Sequence, residues 1–401
     1  MEQQDAKRQQ HFIELAAGHA EDFKTRVAQH DRENSFPFEN VAAMKTSGYT
    51  NMTVPVELGG GGAIPLDLVL AQERLARGDG PTAIAINMHL FNVGVLADFW
   101  RLGDEAQRPF LQAIARDRQI WCFPGSDPRM NTVAGFAGAN DTTRRAEKVA
   151  GGYRVNGRNG FGTLTACADF HIGTAHYDDP EKGPLCLLFP LPAKTPGIKI
   201  HNNWDTLSIR ASASNDVVWE NVFVPEENVT ARPAQTWDML NTIFACWFWT
   251  SVPACYLGIA QAARDYAITW ASERTQLPFE RPQSHYPGNQ FLAAEMEVGL
   301  RAARATLVQT ARAVSEPSIR ANPPLMDLLA CKHFVTETAV SVVDKAMRIV
   351  GGAALFRSGP LEQLYRDVRA AIIHPFGGHD VLGLLGKLAF GIPHDTIPRW
   401  V

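Results

Sequence analysis

Paired cysteines are missing from this chain. Its six cysteines (122, 167, 186, 246, 255 and 331) stand at wide, irregular spacings with no CxxC among them. That excludes a disulfide framework and a zinc ribbon, and leaves buried free thiols in a reducing compartment as the expectation. A surplus of one charge is missing as well. Lys and Arg number 38 against 42 Asp and Glu, the net charge is -4, and the basic residues are scattered. Without a basic stripe, no nucleic-acid partner is expected. The opening MEQQDAKRQQ lacks the apolar core of a secretory leader, so a cytoplasmic location is expected. No dinucleotide fingerprint occurs. The four glycines Gly59 to Gly62 run into Ala63-Ile64-Pro65 rather than Lys-Ser/Thr, so a tight turn is expected there, not a phosphate loop.

Long apolar runs are nearly absent. Thr242 to Ala260 approaches spanning length, but it holds Thr250, Ser251 and Pro253 and continues into the polar pattern QAARDYAITWASER. It reads as the buried central helix of a bundle, with no membrane involved. Internal repeats and low-complexity tracts are also lacking.

What is present is an ordinary globular composition, 45% apolar and 20% charged, in a chain long enough for two or three packed units. Apolar residues at helical spacing (Phe12, Ile13, Leu15, Ala16, Phe23, Val27) predict a helix over 11–33. Further helices are predicted over 38–47, 66–77 and 82–102, giving an all-helical unit over 1–118. Short apolar runs at 120–123, 153–155, 170–175, 185–189, 198–200 and 216–224, separated by Gly, Pro, Asn and Asp, predict a compact β-barrel or sandwich over 119–232. Helices over 237–276, 288–316, 324–350 and 360–373 then predict a four-helix bundle over 233–401. The fold class is α+β.

The densest chemistry lies in IVGGAALFRSGPLEQLYRDVRAAIIHPFGGHD, residues 349–380. A glycine pair ends one helix, and the next carries Arg366, Asp367 and Arg369 and stops at His374-Pro375. In structural terms, His374 caps a helix C-terminus, and Arg210, Arg366 and Asp367 form ion pairs. His379-Asp380 finds no further ligand pattern, so no metal is expected. A lone His89 in an apolar helix would be a core residue.

Three motifs extend this picture: GYTNMTVPVELGG with ERLARGDG and NMHL; GYRVNGRNGFGT; and WDTLSIRASASNDVVWENVFVPEENV. Together with the 349–380 stretch they resemble the acyl-CoA dehydrogenase superfamily across nearly the whole chain. The resemblance implies an N-terminal helical domain, a middle β-barrel and a C-terminal four-helix bundle, assembled as a homotetramer and holding a flavin, FAD or FMN. By the same resemblance Phe161 packs on the flavin ring and Thr163 bonds its N5, while Phe123, Gly125 and Ser126 face its pyrimidine edge. Arg274 and the pair Gly351-Gly352 would reach the FAD of a neighbouring subunit. The family's Phe-Gly after that Arg is Leu277-Pro278 here, and its Gln before the glycine pair is Arg348, so FMN stays open beside FAD.

An acyl-CoA dehydrogenase needs a carboxylate to remove the α-proton of its thioester. Where the family places that Glu, this chain has Pro375, and the alternative site on the first bundle helix, near Phe248, holds no carboxylate. A His at this tip resembles instead the superfamily's flavin monooxygenases, such as dibenzothiophene monooxygenase and the oxygenase component of p-hydroxyphenylacetate hydroxylase. That resemblance implies O2 and reduced flavin reacting through a C4a-hydroperoxyflavin, with a separate NAD(P)H flavin reductase as partner. His374 would donate to the oxygen adduct, Thr163 would hold N5–H, and His89 with Asn92 would line the pocket. Phe248, Phe376 and nearby aromatics point to a small apolar or aromatic substrate. Two other readings stand beside it: an FAD-dependent acyl-CoA dehydrogenase with a displaced base, and a non-catalytic flavin- or ligand-binding scaffold.

Overall fold

The computed structural model describes residues 2–126, 143–233, 237–320, 324–393 and 396. Six helices open the chain: α1 (Glu2–Phe23), α2 (Val27–Glu33), α3 (Phe38–Ser47), α4 (Pro65–Ala76), α5 (Gly80–Arg101) and α6 (Arg108–Asp117). The single helix expected over 11–33 is two. The Thr25 hydroxyl bonds the Asp22 carbonyl at 2.7 Å and helps end α1, because a local side-chain bond competes with the next helical one. Asp79 caps α5, accepting the Thr82 N–H at 2.9 Å.

The four-glycine stretch is a tight turn. The amides of Gly60, Gly61 and Gly62 bond the carbonyls of Pro55, Asn51 and Val54, so none is left for an anion. A Cβ on Gly60 would lie 2.3 Å from the Val54 carbonyl oxygen, a close approach that glycine alone permits.

Eight strands follow: β1 (Trp121–Cys122), β2 (Arg145–Val149), β3 (Gly152–Gly162), β4 (Phe170–Asp179), β5 (Gly183–Pro192), β6 (Ile198–His201), β7 (Asn215–Pro225) and β8 (Thr230–Pro233). They form one sheet in the order β6-β7-β3-β2-β4-β5-β8, with β1 alongside β4. Val217 and Trp219 face inward on β7, then Val222 and Val224. The inward phase changes where an extra residue enters β7 opposite Val155 to Gly157 of β3, with Asn221 at φ 51°. A bulge of this kind re-aims one stretch of a strand without breaking the pair.

Six helices close the described chain: α7 (Trp237–Glu273), α8 (Pro287–Ser315), α9 (Pro317–Arg320), α10 (Leu325–Val350), α11 (Leu361–Val368) and α12 (Gly378–Ala389). The helix expected over 360–373 stops at Val368 and tightens into a 3-10 turn, Arg369–Ile372. The two helical blocks share one apolar core, which runs from Phe12 on α1 to Leu384 on α12 and crosses α4, α5, α7, α8 and α10. Helices α5 and α7 are long and apolar enough to cross a membrane, yet 94% of the apolar window of each is buried inside the protein. Their hydrophobicity is used by this common core. We propose domain limits after residues 118 and 232, at the changes from helix to strand and back.

Candidate active site

Helix α11 is fastened before the site begins. Arg366 forks onto Asp31, Nη1 to Oδ1 at 3.0 Å and Nη2 to Oδ2 at 2.6 Å, and also donates to Glu362 at 2.7 Å and to the Leu207 carbonyl at 3.1 Å. The bidentate geometry gives direction as well as energy. Asp367 accepts the Ile209 N–H at 2.7 Å, and the Gln363 amide approaches its other oxygen at 3.3 Å. Burial pushes the Asp367 carboxyl up to about 7. Arg210 donates to the Asp31 carbonyl at 2.9 Å. These three residues tie the 204–214 loop to α2 and α11; Arg366 and Arg210 form ion pairs, whereas Asp367 accepts N–H groups and has no cation partner within ion-pair distance among the described residues.

Beyond α11 the His374 N–H returns to the Ala370 carbonyl at 2.8 Å. The His374 Nδ1 lies 2.6 Å from the Tyr256 hydroxyl of α7, and its Nε2 makes no hydrogen bond among the described residues. The ring stands edge-on to Phe248 at 6.3 Å and 78°. Phe248 in turn stacks on Phe244 and meets Phe91 edge-on, so an aromatic wall borders the imidazole. Phe376, 2% exposed, packs on Trp249 at 5.1 Å. Burial, with Lys332 adding its charge, pushes the His374 imidazole down to about 4. Burial also lifts the Tyr256 phenol well above its ordinary range. At neutral pH the phenol keeps its proton and the imidazole is neutral. In the tautomer in which Tyr256 donates to Nδ1, the Nε2 edge carries the ring's one N–H; in the other, Nδ1–H donates to the Tyr256 oxygen.

The sheet supplies a second edge. At the end of β3, Phe161 has φ 54° and is 63% exposed, its ring edge-on to Trp204. Thr163 Oγ1 meets Ser214 Oγ at 2.8 Å, and Ser214 meets Ser212 at 2.8 Å. This chain of hydroxyls runs into the 204–214 loop that α11 holds. The Ser126 carbonyl accepts from Gly160 N–H and from Asn159 Nδ2, each at 3.1 Å. A Cβ on Gly125 would press the Phe123 ring at 3.0 Å. Phe123, Gly125, Ser126, Phe161 and Thr163 are thus gathered on one rim.

The other expected residues have different surroundings. His89 is fully buried. Its Nε2 bonds the Thr50 carbonyl at 3.0 Å and its Nδ1 accepts the Trp121 N–H at 3.1 Å. Neither ring nitrogen is free to meet a substrate, and burial holds the imidazole neutral, down to about 4. Asn92 turns its amide back to the Met88 carbonyl at 2.6 Å. Arg274 is exposed just past α7, with its guanidinium 4.1 Å over Trp270. Gly351 and Gly352 end α10 in open solvent, and a Cβ on either would touch nothing within 4 Å. No hydrogen bond joins these three to the Thr163 rim among the described residues. No cluster of three or more His, Cys, Asp or Glu able to hold a metal occurs among the described residues.

Tyr256, Lys332 and the serines 212 and 214 were not singled out from the sequence. Lys332 left a signal: it sits in the apolar phase of α10, with Leu328, Val335 and Ala339, where a charge is unusual. Tyr256 is a lone hydroxyl-bearing ring within an apolar run, and its contact with His374 spans 118 residues.

Residues 6–117 match the acyl-CoA dehydrogenase N-terminal domain, and residues 250–377 match the acyl-CoA dehydrogenase C-terminal domain. The chain is 34% identical over 402 residues to the putative acyl-CoA dehydrogenase YdbM of Bacillus subtilis (strain 168), covering 97% of this chain and 98% of that one. It is 30% identical to the amino sugar nitrososynthase DnmZ of Streptomyces peucetius, over 90% of this chain and 88% of the relative. Among solved structures, KijD3 in complex with FMN and dTDP-3-amino-2,3,6-trideoxy-4-keto-3-methyl-D-glucose superposes with a TM-score of 0.85 at 26% identity, over 97% of this chain and 95% of that one. The relatives therefore span both dehydrogenase and nitrososynthase names on one architecture, and this chain belongs to the acyl-CoA dehydrogenase family.

Proposed function

We propose that this protein is a flavin-dependent monooxygenase that uses reduced flavin and O2 on a small apolar or aromatic substrate. The observation that carries the reading is the imidazole of His374, held by Tyr256 with its other edge free of hydrogen bonds among the described residues, directly before the position, Pro375, where the family's dehydrogenases place a carboxylate. Pro375 and Phe248 stand at the two locations of that base. Asp367 is a buried carboxyl, but its oxygens face the Ile209 N–H and the Gln363 amide, an engagement that speaks against its use as a displaced base.

The rim fits a flavin. Phe161 offers an exposed flat ring beside the Thr163 hydroxyl, an apolar face next to a hydrogen-bond partner, as an isoalloxazine edge requires. KijD3 was solved with FMN, which supports a flavin here. Phe123, Gly125, Ser126, Phe161 and Thr163 would hold the ring, and Arg274 with Gly351-Gly352 would reach the remainder of FAD from a second copy. Exposed Leu277, Phe279, Leu355 and Phe356 beside those residues support a covering copy, consistent with a homotetramer.

Bound reduced flavin supplies two electrons to O2. Two more come from the substrate, which takes one oxygen atom while the other leaves as water. His374 Nε2–H donates toward the reacting oxygen, and Tyr256 keeps the tautomer that allows it. The Phe91, Phe244 and Phe248 wall excludes water, and the Thr163–Ser214–Ser212 hydroxyls orient the hydrogen bond at the flavin edge. A separate NAD(P)H-dependent reductase would supply the reduced flavin.

Replacing His374 by Ala preserves flavin binding and diverts oxygen to hydrogen peroxide. Unchanged coupling in that variant would count against the assignment. The acyl-CoA dehydrogenase reading is favoured by the identity to YdbM. It predicts anaerobic bleaching of bound flavin by an acyl-CoA thioester.

A further inference from the structure

The turn that carries His374 has a second anchor. Lys332 lies on α10 and is 1% exposed. Its Nζ donates to the Phe376 carbonyl at 2.5 Å and to the Ala371 carbonyl at 3.4 Å, one on each side of His374. We propose that Lys332 is a positioning residue, whose hold on these two carbonyls fixes the turn from Ala371 to Phe376 and the direction in which His374 presents its open edge. The inference rests on His374 as the proton-donating group.

A buried ammonium is a costly way to fill space. An apolar side chain of similar volume is often as stabilising or more so. The ammonium matches the specific need of this turn, because the carbonyl of Ala371 in the last turn of the 3-10 stretch and that of Phe376 beyond it have no ladder partner there and are expensive to leave unmade. The charged groups acting on Lys332 are Glu337 on its own helix and Asp380 on α12, both favouring the cation; burial outweighs them and pushes the amine down to about 8. Across the turn lies His374, whose protonation the Lys332 charge opposes. One side chain thus aims the imidazole and helps to keep it neutral.

The test is a histidine titration by NMR on flavin-free protein, with His374→Asn used to assign the resonance. In Lys332→Met the His374 pKa rises by roughly half a unit or more, as expected for removal of one nearby charge. Lys332→Arg, which keeps the charge and the donors, stays close to the parent. Supplied with reduced flavin, Lys332→Met loses more of it to hydrogen peroxide, by about fivefold, with flavin affinity unchanged. Should Lys332→Met fail to fold, Lys332→Gln, which keeps an N–H but no charge, takes its place. An unmoved His374 titration together with unchanged loss of reduced flavin to hydrogen peroxide in a folded, uncharged variant overturns the proposal. If His374→Ala leaves coupling unchanged, the monooxygenase reading fails, while the flavin-free titration still decides what Lys332 does.

Discussion

Around His374 the polar side chains are buried and bonded within the chain, whereas around Arg274 and Gly351-Gly352 the chain is exposed. Tyr256 takes one edge of the imidazole, Lys332 the turn carbonyls, and Arg366 and Asp367 the loop behind it. At the other region Arg274 and the glycine pair are exposed beside bare apolar side chains such as Leu277, at 95% exposure, and Leu355, at 74%. The end proposed here to react draws its hydrogen bonds from one copy. The end proposed here for the far part of the cofactor is exposed in one copy, as a surface covered by a second copy would be.

The largest effect is expected from the interior region. Arg366→Ala strands the buried Asp31, 6% exposed, beside Glu362. It should cost about 3–5 kcal/mol, as breaking a buried ion pair does, read from urea denaturation. Arg274→Ala on the open surface should change stability by no more than about 0.5 kcal/mol. Equal losses would break the comparison.

Next in size is a dependence on acid. His89, His171 and His374 are each pushed down to about 4 from 6.5, mainly by burial. The unfolded chain therefore binds protons that the folded one refuses, and stability present above about pH 6.5 is lost as pH falls toward 4. Asp367, raised from 3.8 to about 7, acts in the opposite sense. Its contribution is full below its ordinary value and fades as pH rises through 7. Asp67 and Asp79 are raised as well and His19 is lowered; with three histidines shifted furthest, stability should rise with pH between 5 and 7. Urea midpoints at pH 5 and pH 7 check this, with the higher midpoint at pH 7.

A smaller effect separates the two regions by function. Tyr256→Phe leaves His374 Nδ1 without its donor, so coupling should fall roughly tenfold at a stability cost of about 1–3 kcal/mol. Arg274→Ala should instead leave coupling intact and weaken FAD binding by roughly tenfold, a loss of about 1.4 kcal/mol. FMN binding should not change, because FMN lacks the part that Arg274 would reach. The smallest effect is expected of Phe161→Ala. Its exposed ring should contribute under about 0.5 kcal/mol to stability, yet weaken flavin binding about fivefold, measured by fluorescence titration.

Much of the fold was legible because its signals are local. The helix over 38–47 was read to its ends, and α8 and α10 to within a residue or so, since their apolar stripes and flanking prolines lie in the sequence itself. Strand β2 was missed because Arg145–Val149 carries mostly charged residues and buries only Ala146. Helix α12 was missed because its glycines mask a helical stripe. At the site, His374 was visible from its place after Arg366-Asp367. What that histidine touches was not, because Tyr256 and Lys332 come from 118 and 42 residues away along the chain. The same limit applies to His89. Its type fits a catalytic role, and only the fold reveals that Thr50 and Trp121 use both of its nitrogens.

The central question is whether the His374 region handles oxygen. The direct measurement is to load the protein with flavin, reduce it anaerobically, mix it rapidly with O2 and follow the return of the oxidised flavin absorption. A delayed return, with the delay shortened in His374→Ala, is the result predicted here. Immediate reoxidation in both proteins, together with bleaching of the oxidised flavin by an acyl-CoA thioester, would contradict it and make the chain a dehydrogenase.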